Sequence, residues 1–241
     1  MHFRISTIPV ALVFAFGLGV TAFAATNPGI AVCASVNFLP LTRLEDGTLV
    51  GSHAFDTGQA AVTQQLLVDS KDRIGDTFGE PRSAPIVVFF NSAASFWPFR
   101  LNDYGSTHVI GTRTCVLIGP NGRNVDVVAH ELMHAEIVDR VGVLAKFTEL
   151  PTWFDEGLAM QVDFRPEYDI AGGANAETKS VRALQSAGDF YVPDSAQLTY
   201  NYASAKAEVA LWTRRVGYAS VLAQLERLRR GEAFEPVVGM N

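Results

Sequence analysis

Little cysteine, no long basic tract and no internal repeat mark this chain. Only Cys33 and Cys115 occur among its 241 residues, so at most one internal disulfide can form. The longest basic block is "RLRR" at 227–230 and the formal net charge is −6, which argues against a nucleic-acid partner. No low-complexity tract or long linker divides the sequence, and its length suits one domain with a proper core. No propeptide is evident either, because helix and strand signals start soon after the first 25 residues.

What is present begins with export. Arg4 precedes an uncharged apolar run and then the small-residue triplet Ala22-Phe23-Ala24, the layout of a signal peptide over residues 1–24. The run from Ile5 to Ala25 is long enough to span a bilayer, so an uncleaved anchor is the alternative, weakened by Pro9, Gly17 and Gly19. Cleavage would leave residues 25–241, secreted or periplasmic, with a net charge of −7 once Arg4 is lost. In an oxidising compartment Cys33 and Cys115 are expected to pair; the alternative is two buried thiols.

Periodicity predicts a helix over 58–78, ended by Gly79 and Pro81, and a buried strand at "PIVVFF", 85–90. Residues 107–120 read as a strand or hairpin closed by "GPNG". A helix carrying His130 and His134 follows, and three more are expected in "NAETKSVRALQSAG", "YASAKAEVALWTRRVG" and "YASVLAQLERLRRGE". Strands come first and helices last, an α+β arrangement with a sheet-containing lobe over about 30–145 and a helical lobe over about 146–235.

The chemistry lies in "DVVAHELMHAEIVDRVG", 126–142. Residues four apart share a helix face, so His130 and His134 can turn imidazole nitrogens toward one ion, while Glu131 sits about 100° round the helix, near the ion but out of line to ligate it. Two imidazoles holding Zn²⁺ and a glutamate taking a proton from an activated water are the parts of a metal hydrolase. The alternative is a helix with its histidines at the solvent face. Val127, Val128, Leu132, Met133, Ile137 and Val138 leave almost no polar face, and burying these groups without partners would be costly. A third ligand is needed, with His53, His108 and downstream acidic residues as candidates, among which Asp155 and Glu156 stand amid aromatics in "LPTWFDEGLAMQVD".

"HELMH" followed by "PTWFDEGLA" resembles the gluzincin metallopeptidases, particularly the peptidase MA-like branch related to aminopeptidase N and thermolysin groups. The resemblance implies a zincin-like fold, one Zn²⁺ held by His130, His134 and Glu156, and Glu131 as general base. It also implies an oxyanion-holding tyrosine, placed on Tyr202 with Tyr200 as rival, and a strand, "CVLIG" at 115–119, that lines the cleft and pairs with the backbone of a peptide or protein substrate. Two departures stand out. Twenty-one residues separate His134 from Glu156, more than in the aminopeptidases, and Met160 stands where thermolysin-like members carry an aspartate that orients a histidine. Asp155, Asp139 and Glu136 are candidates for that role. The Gly-rich segment by which aminopeptidases read a free amine is not visible, which favours an endopeptidase. The rival function is a non-catalytic zinc-binding envelope protein that keeps the fold.

Overall fold

The computed structural model describes residues 27–51, 57–92, 100–169 and 178–239. The expected signal segment and His53 lie outside them. Helix α1, Pro28–Ser35, starts on a proline, whose missing N–H costs nothing at a first turn, and leads into a hairpin of β1, Leu41–Arg43, and β2, Leu49–Gly51. Helix α2, Thr57–Phe78, and strand β3, Ile86–Phe89, fall where the periodicity placed them. Strands β4, Gly105–Ile110, and β5, Arg113–Ile118, form a hairpin turning at Gly111, whose φ of 62° suits a residue without a side chain.

The five strands lie in the order β1-β2-β3-β5-β4, parallel through β2, β3 and β5 and antiparallel at both edges. The expectation that residues 115–119 pair with the backbone of a substrate is therefore corrected. Strand β5 pairs with β3 on one side and β4 on the other, so its backbone groups are already used. The edge strands are β1 and β4.

Alternation along the strands divides the core in two. Val87, Phe89, Val116 and Ile118 point into the larger cluster, with the helices; Val88, Phe90, Cys115 and Leu117 point the other way, onto Val32, Cys33 and Val36 of the α1 region. On that second face the expected disulfide joins Cys33 to Cys115.

On the first face runs α3, Val125–Val141, capped by Asn124, whose side chain accepts from Val127 N at 3.0 Å. It lies against β4 and β5 and against α2. Gly142, at φ 82°, turns the chain into α4, Val143–Thr148, and α5 follows over Thr152–Ala159. Then come α6, Ala187–Phe190; α7, Ser195–Val216; α8, Val221–Arg229; and α9, Phe234–Val238.

One expected helix is corrected. The described part of 175–188 is a 3-10 stretch, Thr178–Ala183, followed by the start of α6. The carbonyls of Leu184 and Gln185 instead accept the N–H groups of Trp153 and Thr152, at 3.2 and 2.9 Å. Helix α5 starts after Pro151 without a side-chain cap, so it draws its capping acceptors from this segment, which an α-helix there would have kept for itself.

Candidate metal site

Thirteen of the 17 residues of α3 are buried, so its polar members must find partners inside the protein. His130 and His134 stack one turn apart with their Nε2 atoms 3.1 Å from each other. Glu156 of α5 brings Oε2 to 3.4 Å from both. Zinc bonds of about 2.1 Å at tetrahedral angles put donor atoms about 3.4 Å apart, so these three atoms have the spacing of three corners of one coordination sphere. The set could hold a metal ion, and it is the one such group among the described residues.

The donor chemistry points the same way. Both histidines face carboxylates with Nδ1, His134 to Asp155 Oδ2 at 3.3 Å and His130 to Asp163 Oδ2 at 3.6 Å. With their protons on Nδ1, the two Nε2 lone pairs and Glu156 Oε2 converge on one point. Glu156 Oε2 is buried and has no hydrogen-bond partner among the described residues. Three buried acceptors aimed at each other repel unless a cation stands between them. Burial by itself would lower the pKa of His130, but the nearby Asp163 and Glu156 carboxylates outweigh it and bring the group up to about 9. His134 is likewise held well above the ordinary histidine value, against its burial, by Asp155 and Glu156. Burial would raise Glu156, but the two histidines hold it well below the usual carboxylate range. The surroundings favour positive charge here, proton or metal ion alike.

Each donor is held by a further group. Lys146 of α4 pairs with Asp155 Oδ2, the atom that faces His134. Arg165 grips Asp163 with Nη2 at 2.6 Å and Nε at 2.9 Å, behind His130. Tyr191 donates its hydroxyl to Glu156 Oε1, leaving Oε2 to the convergence point. The depth of α5 is set at Gly157, where a Cβ would lie 2.4 Å from the carbonyl oxygen of Ala205 on α7. Main chain touches main chain there.

Glu131 lies beside the triad and outside it, on the side of β4. Thr107 Oγ1 is 2.8 Å from both Glu131 Oε2 and Glu131 O, and a Cβ on Gly105 would come within 2.9 Å of Glu131 Oε1. Burial raises its pKa above the usual carboxylate value, against the pull of His130 and His134. On α7 the Tyr202 ring sits 6.2 Å from that of His130, while Tyr200 projects about 200° further round the helix. Burial, with Glu156 and Glu131 nearby, keeps the pKa of Tyr202 well above the ordinary tyrosine value.

Of the other described candidates, the structure brings Asp155 to the site and leaves His108, Glu136 and Asp139 elsewhere. His108 points to the opposite face of the sheet, against Gly29 and Ser106. Glu136 is spent on Arg140 and the backbone N–H groups of Arg82 and Ser83, and Asp139 on Arg82. Asp163, Lys146, Arg165 and Tyr191 were not picked out in the sequence. For Asp163 a signal existed, since it is a lone carboxylate closing the same motif segment. A comparison with protein-family models finds no match to this chain, and a comparison with curated proteins finds none either.

Proposed function

We propose that the protein is an exported zinc-dependent peptidase of the gluzincin kind, with His130, His134 and Glu156 as ligands and Glu131 as general base. The observation that carries this reading is the set of three donor atoms 3.1–3.4 Å apart, one of them buried and unpartnered, with a separately held carboxylate next to it. Cys33–Cys115 supports passage through an oxidising compartment, and no helix of the described residues is long and apolar enough to cross a membrane.

A bound zinc ion would supply Lewis acidity, polarising the scissile carbonyl and lowering the pKa of a water to about 7. Glu131 would take the proton of that water and deliver it to the leaving amine nitrogen, a role supported by its position beside the triad and by the burial that raises its pKa. Thr107 and Gly105 fix its carboxylate from the β4 side. Tyr202 stays protonated at any working pH, so it can donate to a developing oxyanion. An extended peptide laid along the outer side of β4, an edge of the sheet, would pass Glu131, an arrangement that would suit cleavage within a chain.

The test combines zinc content with hydrolysis of an unbiased peptide mixture. Wild-type protein should carry about one zinc per chain and cleave; Glu131→Gln should keep the zinc and lose about 10²–10⁴-fold in kcat. Zinc without hydrolysis in the wild type would convert the reading to a non-catalytic zinc protein, and absence of zinc uptake by folded protein would end it.

A further inference from the structure

Both histidines are backed by the same sequence of groups: imidazole, carboxylate, cation. At His134 the arrangement turns on one atom, because Asp155 Oδ2 both faces His134 Nδ1 at 3.3 Å and takes the ion pair from Lys146. Asp155 Oδ1 is buried with no hydrogen-bond partner among the described residues. At His130, Asp163 Oδ2 faces Nδ1 at 3.6 Å and meets Arg165 Nη2 at 2.6 Å, while Oδ1 takes the Arg165 backbone N–H at 3.1 Å and Nε at 2.9 Å. The two cations come from different places: Lys146 from α4, ahead of the ligand helix α5, and Arg165 from the turn after it.

A buried carboxylate with an imidazole N–H as its only donor would gain by protonating or by swinging toward water. A cation fixed on one of its oxygens prevents the swing and decides which oxygen the imidazole sees. Oriented carboxylates of this sort fix the tautomer and ring plane of a metal-ligating histidine. We propose that Lys146 and Arg165 are positioning residues of the metal site, each holding one histidine ligand through one aspartate. The inference rests on the triad being a metal site.

The simpler role for either cation is to offset the burial of its aspartate, and metal affinities in combined variants separate the two. Zinc affinity by chelator competition, and the visible spectrum of the cobalt(II)-loaded protein, are measured for wild type, Lys146→Met, Asp155→Asn, the two combined, and Lys146→Met with Asp163→Asn. Lys146→Met should weaken zinc about 10–100-fold and shift the cobalt bands, and Lys146→Arg should recover most of the affinity. Adding Asp155→Asn should then cost little more than Asp155→Asn alone, whereas adding Asp163→Asn should multiply the losses. Wild-type affinity with an unchanged spectrum in Lys146→Met, or multiplied losses with Asp155→Asn, overturns the proposal and leaves the metal site standing. Failure of the wild type to take up zinc or cobalt overturns both. Should Lys146→Met not fold, Arg165→Met with Asp163→Asn gives the same reading on the His130 side.

Discussion

The two faces of the sheet solve the same problem by different means. One is covered by the short helix α1, too small to bury much, and it is tied by a disulfide whose cysteines are 82 residues apart. The other carries the helices and most of the buried apolar side chains, and within that apolar mass it keeps His130, Glu131, His134, Asp155, Glu156 and Asp163 out of water. Stability on the thin face comes from shortening the unfolded chain; on the thick face a surplus of apolar burial offsets the desolvation of ionisable groups. A protein arranged this way can carry a polar site in its core because the site is not asked to hold the core together.

That division can be broken from either side. The largest effect is expected from Glu156→Ala, which removes a donor outright and should weaken zinc by more than about 100-fold, beyond the loss from any supporting residue. Its melting temperature without metal should fall modestly, since Tyr191 loses its acceptor and the two histidines lose a carboxylate; a collapse in apo stability would mean the site does hold the core. Next, replacing Cys33 and Cys115 by alanine should cost about 2–4 kcal/mol in denaturant unfolding, with zinc affinity unchanged. A matching loss of zinc would show that the faces are coupled through the sheet. Smaller again, Gly105→Ala would press a methyl on the Glu131 carboxylate and should lower kcat about 10–100-fold while zinc content stays constant. The smallest is Asn124→Ala, which removes the cap of α3 and should cost about 1 kcal/mol, read as a lower melting temperature at unaltered metal affinity.

The same contrast governs what could be read from the sequence. Periodicity and end signals located α2, β3 and α3, because these are local: an apolar repeat stopped at Gly79 and Pro81, a β-branched run, a GPNG turn ahead of the histidine helix. The pairing of Cys33 with Cys115 followed from there being no other cysteine. Strand order did not follow, since nothing within "CVLIG" says whether its neighbours are one strand or two. The three donors were legible through two short motifs in order. Their supports were not, with the exception of Asp155, which is adjacent to Glu156. Asp163 reaches His130 only because the chain turns sharply after Ala159, and Tyr191 and Lys146 arrive from segments whose own patterns say nothing about Glu156 or Asp155.

The contact at Gly157 reaches beyond packing. Side chains between two helices act as cushions, and a cushion can be thinned or thickened by substitution; here α5 rests on α7 with no cushion at all. The height of Glu156 above the two histidines is thereby gauged by main-chain atoms. The donor separations so gauged, 3.1–3.4 Å, match the spacing of donors on an ion with bonds of about 2.1 Å. A single missing side chain on α5 thus works as the jaw setting of a caliper, fixing how close Glu156 comes to the two histidines.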